Sequence, residues 1–192
     1  MPLVYPPAPA PTLSSVITAL GSPTAVHEAR TPTLRSAQGA VAAELPLPVH
    51  VLDRLVPGAR ASLAGWRYAI RCDGRSVAAA DTVLTPDGWA FSHFFEGPYI
   101  ASTERAVRQA ESLQAPHQPR LLSLPGLYML TLWLHGDPAA DPAVGSPAPD
   151  DLLVPLAPAP PGVPAHRVHR VDELLPALGH RLAPAPPLAA PA

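Results

Sequence analysis

Asp81 and His93 are the two side chains whose types and spacing could support acid–base chemistry. They lie on consecutive predicted strands, and a three-residue loop at residues 86–88 would place them opposite each other across the sheet. In that register Asp81 also faces Trp66, on an apolar surface where an unpaired charge would be very costly. We therefore expect a buried structural pair. The alternative is a small hydrolase or isomerase that uses Asp81 and His93 as an acid–base dyad.

Two histidines three residues apart, His166 and His169, raise the question of a metal site, with Asp172 three residues further on. Histidines at this spacing can share a helix face and ligate one ion. The flanking arginines, Arg167 and Arg170, disfavour a bound cation, and no further ligand can be identified elsewhere. We expect an exposed strand or loop with no metal and no cofactor. A metal bound by His166, His169 and Asp172 is the alternative.

The single cysteine, Cys72, excludes an intramolecular disulfide and any zinc site built on several thiolates. A thiol triad with Asp81 and His93 is also excluded, because the register places Asp81 about 20 Å along the strands from Cys72. We expect Cys72 to be an inert buried residue in a reducing, cytoplasmic compartment. No basic residue precedes Arg30, so a secretory signal is not expected.

The other face of the same strands favours binding over catalysis. Arg67 and Arg71 would stand there beside small residues, with Phe94 on a neighbouring strand. Arginine and aromatic side chains are enriched at the centres of protein interfaces. This face predicts a protein partner bound by Arg67, Arg71 and Phe94. The alternative is that another layer of the same chain covers it.

A sheet and helices must position these side chains. Residues 66–72 alternate between apolar and polar types, which is typical of a half-buried strand, and Asp73 with Gly74 favours a two-residue hairpin turn. The predicted elements are strands at 66–72, 76–84, 89–96, 127–135 and 152–156 and helices at 102–114 and 173–182. The predicted fold is α+β in the order β-β-β-α-β-β-α. An antiparallel sheet, made of a three-strand meander and a central strand at 127–135, has helices packed on it.

Twenty-nine prolines divide the chain, because proline is excluded from helix interiors and central strands. They crowd both termini and residues 138–164, whereas residues 58–115 contain only two. Residues 1–12 and 183–192 are therefore expected to be disordered proline-rich tails.

A single α+β domain is expected between the tails, over residues 13–182, because this length suits one ordinary domain. Its best-defined part is predicted to be 58–182, with a proline-rich surface loop at 137–149. The patterns in residues 13–57 leave their topology open.

Composition excludes several classes of function. All 13 basic residues are arginine and the net charge is −2, so no basic block offers a surface for nucleic acid or an anionic membrane. The most apolar run, residues 121–134, is shorter than the roughly 20 residues that a membrane-spanning helix needs. No nucleotide-binding loop, dinucleotide fingerprint, nucleophile elbow or zinc-protease motif is present.

These patterns together predict a small non-enzymatic accessory or protein-interaction protein, with a protein partner and with neither nucleic acid nor membrane. Lysine and asparagine are absent while alanine and proline are abundant, which indicates a high-GC coding bias and a bacterial source. Membership of a larger bacterial assembly, whose binding orders the tails, is a further expectation.

Overall fold

One mixed sheet runs through the computed structural model, which describes residues 3–28, 31–55 and 59–182. Its eight strands in these residues are β1 Val41–Val51, β2 Ser62–Cys72, β3 Arg75–Thr85, β4 Gly88–Phe95, β5 Gln118–Leu124, β6 Met129–His135, β7 Leu152–Pro155 and β8 His169–Arg170. They lie side by side in the order β4-β3-β2-β1-β5-β6-β7-β8. All neighbours are antiparallel except β1 and β5, which are parallel.

Five helices accompany the sheet in the described residues: α1 Ala10–Leu20, α2 Pro23–Glu28, α3 Pro32–Ser36, α4 Pro98–Ala110 and α5 Val171–Leu182. The mixed α+β class predicted from the sequence is thereby confirmed. The prediction of a purely antiparallel sheet is wrong at the β1–β5 pair. Among the described helices, none has both the length and the apolar composition needed to cross a membrane.

The sequence analysis did not predict three of the strands, β1, β5 and β8. Two of them contain proline, which was expected to exclude a central strand: β1 carries Pro46 and Pro48, and β5 carries Pro119. The pairing of β1 with β2 is irregular between Glu44 and Leu47, so Pro46 falls outside the regular ladder. A bulge of this kind is where a sheet accepts proline.

The β2–β3 hairpin turns at Asp73 and Gly74, whose φ angles are 49° and 77°. Positive φ at both residues is what a two-residue hairpin turn of type I′ requires. Cys72 faces Arg75 directly after the turn, as the sequence predicts.

A bulge between Ile70 and Arg71 changes the rest of the β2–β3 pairing. Beyond it, Asp81 faces Arg67, whereas the sequence prediction placed Asp81 opposite Trp66. Because side chains alternate between the two faces of a strand, this shift of one residue moves Asp81 to the other face of the sheet.

The same two strands approach each other unusually closely at Gly65. A Cβ atom at this position would lie 1.9 Å from the carbonyl oxygen of Thr82. The hydroxyl of Thr82 also hydrogen-bonds both the backbone N and the backbone O of Trp66, at 3.2 Å each. The irregular pairing therefore depends on a glycine and on contacts from side chain to backbone.

The β3–β4 hairpin differs from the prediction twice, and the two differences cancel. Thr85 faces Gly88, so the turn has two residues where three were expected. A bulge between Asp81 and Thr82 then restores the lost residue. Asp81 and His93 consequently lie opposite each other, as predicted.

Three apolar clusters hold the helices on the sheet. One lies between α1, α3 and strands β2–β4 and contains Trp66 and Tyr68. A second lies under α4 and contains Leu121, and a third lies under α5 and contains Leu122. Since successive strand residues point to opposite faces, α4 and α5 cover opposite sides of the sheet.

The N-terminal segment packs against the domain from its first described residue. Leu3 is buried and forms an isolated parallel bridge with His117. Residues 3–9 lead from there into α1, so this part of the expected disordered tail at 1–12 has defined contacts. The expected tail at 183–192 lies outside the described residues.

Candidate binding cleft

A cleft of about 270 Å³ opens between α4 and the face of β2 and β3 that carries Arg67 and Arg71. The small side chains of Ala69 and Ala79 line it on the side of the sheet. Because these side chains are short, they leave space that no described side chain occupies. The sheet face that was expected to bind a partner is therefore a groove partly covered by α4.

Arg67 is held rigidly on the wall of the cleft. Its Nε and one terminal nitrogen donate to the two carboxylate oxygens of Asp81, each at 2.8 Å. The guanidinium also stacks over the ring of Phe95, with 4.6 Å between its carbon and the ring centroid. A bidentate ion pair and a cation–π contact together leave this arginine little freedom.

The expected Asp81–His93 hydrogen bond is replaced by this ion pair. The bulge in β2–β3 places Asp81 beside Arg67, and its carboxylate is taken up there. His93 is exposed, and its Nδ1 lies 3.0 Å from the hydroxyl of Ser92. The structure therefore brings the two residues into register without joining their side chains.

Arg71 also lines the cleft, and it has partners for only part of its guanidinium. One terminal nitrogen lies 3.3 Å from a carboxylate oxygen of Glu44, and the other donates to the carbonyl of Gly74. Its Nε is buried and has no hydrogen-bond partner among the described residues. A buried donor without a partner is unusual in folded proteins.

Phe94, the third predicted partner-binding residue, lies on the opposite face of the sheet. It is buried against the cluster under α1 and α3, where its ring centroid is 4.5 Å from that of Phe91. The bulge in β2–β3 reverses the facing of β3 and β4 relative to Arg67, which is why Phe95 takes the place expected for Phe94.

Helix α4 forms the other wall of the cleft. It begins at Pro98, after Gly97 with φ of 150°, and not at Ser102 as predicted. The hydroxyl of Tyr99 donates to the carbonyls of Tyr128 and Pro158, which anchors the first turn of the helix. Proline at the first helical position explains the earlier start, because its missing N–H has no intrahelical role there.

The buried hydroxyl of Tyr5 lies at the N-terminal side of the cleft and has no hydrogen-bond partner among the described residues. Burial, and then the negative charge of Glu111, raise the pKa of Tyr5 to about 12. The hydroxyl therefore keeps its proton at neutral pH and can act as a donor.

The three residues considered for metal binding are far from forming a ligand set. Asp172 pairs with Arg170 at 3.1 Å, and Nε2 of His166 lies 3.2 Å from the hydroxyl of Ser102. Burial, and then Arg105, lower the pKa of His166. The described part of the chain contains no group of three histidine, cysteine or acidic side chains arranged to hold an ion.

Known proteins assign no family to this geometry. Comparison with protein-family models, curated proteins and solved structures found no match.

A second polar cluster, which sequence reasoning missed, lies on the sheet beneath the loop 137–149. Its members come from three strands and the end of the loop: His50, Arg120, Trp133, His135 and Asp151. His50 and Arg120 are fully buried, and Arg120 lies 4.8 Å from the ring centroid of Trp133. The neighbours of Arg120 in β5 are apolar, and residues 137–149 were expected to form a proline-rich surface loop, so no sequence pattern indicated this cluster.

Asp151 is the centre of this second cluster. Asp151 is buried and accepts four hydrogen bonds, whereas its neighbour Asp150 is exposed. The donors are Trp133 Nε1 at 2.7 Å, Gly136 N at 2.8 Å, His135 Nδ1 at 2.9 Å and Ala148 N at 3.0 Å. Gly136 directly precedes the loop and Ala148 lies near its other end, so Asp151 ties the two ends of the loop together.

Replacing Asp151 with asparagine is expected to lower the free energy of unfolding by about 2 kcal/mol, because an amide cannot accept all four hydrogen bonds. Burial raises the pKa of Asp151, but the hydrogen bonds from His135, Ala148, Gly136 and Trp133 outweigh it and lower the pKa overall. The stabilisation is thus present at neutral pH and lost as the carboxylate is protonated in acid. Urea unfolding at pH 7 measures the difference, with the exposed neighbour Asp150→Asn as the matched control. Equal midpoints for the two variants would contradict this role.

Proposed function

We propose that this chain is a small non-enzymatic protein-interaction protein that binds a segment of its partner in the cleft between α4 and strands β2 and β3. The observation that carries the proposal is an open groove of about 270 Å³ with Arg67 and Arg71 on its wall, left empty by the described side chains. Binding sites are typically concave and mostly apolar, with a few polar groups that fix orientation. Membership of a larger assembly and a cytoplasmic location belong to the same proposal.

The rigidity of the cleft supports this function. Arg67 is already fixed by Asp81 and Phe95, and α4 is anchored at its first turn through Tyr99. A surface that is ordered before binding loses little side-chain entropy when a partner arrives. These contacts favour recognition by a preformed groove.

The alternative of a hydrolase or isomerase that uses Asp81 and His93 has less support. A general base needs a carboxylate or imidazole free to reach a substrate proton. The carboxylate of Asp81 is engaged on both oxygens by Arg67, and His93 lies on the exposed surface away from a second catalytic group. The geometry therefore favours binding.

Filling the cleft tests the proposal. Ala69→Phe places a ring in the groove between Arg67 and Arg71, and we expect it to reduce capture of the partner from lysate of the source cells by about tenfold or more, equivalent to roughly 1.4 kcal/mol. Affinity capture read by quantitative mass spectrometry measures the change. The smaller substitutions Arg67→Ala and Arg71→Ala are expected to weaken capture in the same direction.

A matched control separates the cleft from general effects of an added ring. Ala90 lies on β4, is half-buried like Ala69 and does not line the cleft, so Ala90→Phe should capture the same partner as the unaltered chain. Deletion of residues 183–192 provides a second control. Capture lost with the deletion and kept in Ala69→Phe would move recognition to the proline-rich end and contradict the proposal. Failure to capture any protein would also count against it.

A further inference from the structure

Polar contacts hold the loop 137–149 on the side of the sheet that α5 also covers. Gln118 and Arg120 lie on the same face of β5 as Leu122, which packs under α5. Their side chains donate to four carbonyl groups of the loop, at distances from 2.7 to 3.3 Å. Near the end of the loop, the N–H of Ala148 donates to Asp151 at 3.0 Å.

The loop has no buried residue of its own. Its separation from the sheet therefore removes none of its side chains from an apolar core. Segments with few buried apolar contacts are the ones that open locally in folded proteins. Beneath the loop, by contrast, β1 is paired with β2 on one side and with β5 on the other. Lifting the loop thus costs less free energy than separating the strands below it.

His50 lies on β1 under this loop and is fully buried. Neither of its ring nitrogens has a hydrogen-bond partner of normal geometry among the described residues, and no described carboxylate is within ion-pair distance of it. The ring meets Trp133 edge-on, and the backbone of Pro142 in the loop lies close to it. A proton bound by His50 in the closed structure would therefore be a buried charge without a counter-ion.

The charges that act on His50 make its protonation still less favourable. Arg120 from β5 and His135 from β6 both lower its pKa. The acidic groups of the region act on Arg120 instead: Asp137 and Asp141 in the loop, and Asp151 at its end. Contact with water would relieve a protonated His50, and lifting the loop admits water without breaking the sheet.

We propose that protonation of His50 opens the loop 137–149 as a lid while the eight-stranded sheet stays folded. Opening brings His50 and Arg120, both positively charged in that state, into contact with water. This inference is independent of the proposed function, because the cleft lies on the α4 side of the sheet and the lid lies on the α5 side.

Acid drives the opening in a definite pH range. With the lid closed the pKa of His50 is about 4, and in water it returns toward its ordinary value of about 6.5. Between these values the open state binds more protons, so the open fraction rises by up to about tenfold for each unit of falling pH and roughly 50-fold from pH 7.5 to 4.5. The hydrogen bonds of Asp151 persist over this range, because they lower the pKa of its carboxyl from 3.8.

Amide hydrogen exchange in the full ¹⁵N-labelled chain tests this inference. Rates are measured by NMR from pH 7.5 to 4.5 and divided by the rate of an unstructured peptide at the same pH. Gly136 and Ala148 report on the lid, because their N–H groups donate to Asp151. Leu121 and Leu132, paired in the centre of the sheet, report on unfolding of the whole chain.

We expect the two lid amides to be protected at pH 7.5, but at least tenfold less than the two sheet amides. Their protection should fall roughly 50-fold by pH 4.5. Addition of 1 M urea should hardly change it, because lid opening exposes little surface, whereas the same urea should speed exchange of Leu121 and Leu132.

Variants assign the opening to His50. His50→Phe cannot be protonated, so its lid protection should stay constant between pH 7.5 and 4.5, and His50→Leu gives the same comparison if the phenyl ring is too large. His93→Phe is the matched control, since His93 is exposed on β4, far from the loop in the strand order. It should keep the roughly 50-fold fall of the unaltered chain.

Four results would overturn the lid. Lid amides that are unprotected at pH 7.5 would show that the loop is not closed. Protection that does not change with pH would show that acid does not open it. Exchange equal to that of Leu121 and Leu132, with the same response to urea, would show that the loop opens only when the whole chain unfolds. A fall retained in both His50→Phe and His50→Leu would assign the opening to another group.

Discussion

Replacing Arg120 with methionine is expected to lower the free energy of unfolding by about 4 kcal/mol, because it removes a buried donor from three acceptors, two of which have no other donor among the described residues. Arg120 is fully buried in β5. Its Nε donates to the side-chain oxygen of Gln118 at 2.7 Å, and its terminal nitrogens donate to the carbonyls of Val144 and Asp141 at 2.9 and 3.1 Å. The last two bonds hold the loop 137–149 against the sheet.

Two opposing effects decide whether Arg120→Met stabilises or destabilises the fold: relief of the buried charge and loss of its hydrogen bonds. Burial lowers the pKa of Arg120 by disfavouring its charge, whereas the negative charges of Asp151, Asp141 and Asp137 raise it. Replacing an entire buried ion network by apolar side chains can be neutral or stabilising. Methionine, however, replaces only the donor and leaves the oxygens of Gln118 and Val144 without partners, so the loss dominates.

Urea unfolding at pH 7 measures the effect. Arg120→Lys should fall between the unaltered chain and Arg120→Met, because lysine keeps the charge but cannot reproduce the planar fork that reaches all three oxygens. Arg170→Met is the control, since Arg170 is exposed and pairs with the exposed Asp172, and it should leave unfolding nearly unchanged. A loss below about 1 kcal/mol for Arg120→Met would show that desolvation of the cation cancels its hydrogen bonds.

The sequence patterns correctly predicted the elements whose conformation depends on residues adjacent in the sequence. The hairpin at Asp73 and Gly74 forms as expected because few residue pairs accept two positive φ angles. The strand expected at 127–135 is present as β6, since residues apolar on both faces suit a strand buried on both sides. Both features depend on neighbours in sequence.

Pairing between distant segments could not be read in the same way. The strand β1 contains Pro46 and Pro48 and still becomes the link between the two halves of the sheet, because β2 and β5 bury it and a bulge accommodates Pro46. Its parallel partner β5 begins 67 positions after the end of β1 in the sequence numbering, at Gln118. No local pattern indicates such a contact.

In the candidate site, too, the features set by neighbouring residues were predicted and those set by distant pairings were not. Arg67 and Arg71 share a face as the alternation of β2 predicts, because they lie on one uninterrupted strand segment. Phe94 was misplaced because its facing depends on the bulge opposite Ile70 and Arg71, which is set by tertiary contacts. A bulge of one residue was enough to exchange Phe94 for Phe95 in the cleft.

His50 is expected to make the fold sensitive to acid. It is fully buried, and neither ring nitrogen has a hydrogen-bond partner of normal geometry among the described residues. Burial, and then the positive charges of Arg120 and His135, lower the pKa of His50 to about 4, although the backbone of Pro142 partly offsets them. The ring of Trp133, which meets it edge-on at 5.3 Å, supplies no charge.

The direction of the pH dependence follows from where the proton binds. In the unfolded chain His50 takes up a proton near its ordinary pKa of about 6.5, whereas in the folded chain it stays neutral down to about pH 4. Between these values the unfolded state binds more protons, so stability is complete above pH 6.5 and falls as the pH is lowered. The full difference is about 3 kcal/mol.

Urea unfolding of the chain and of His50→Phe at a series of pH values between 7.5 and 4 isolates this contribution. The phenyl ring keeps the contact with Trp133 and cannot be protonated, so the variant should match or exceed the unaltered chain at pH 7 and lose about 3 kcal/mol less on acidification. Other groups, including Asp151, titrate in both proteins and cancel in the difference. If phenylalanine proves too large for the site, His50→Leu gives the same comparison. Parallel curves for the chain and the variant would show that His50 is protonated equally in the folded and unfolded states, and would contradict its burial as a neutral ring.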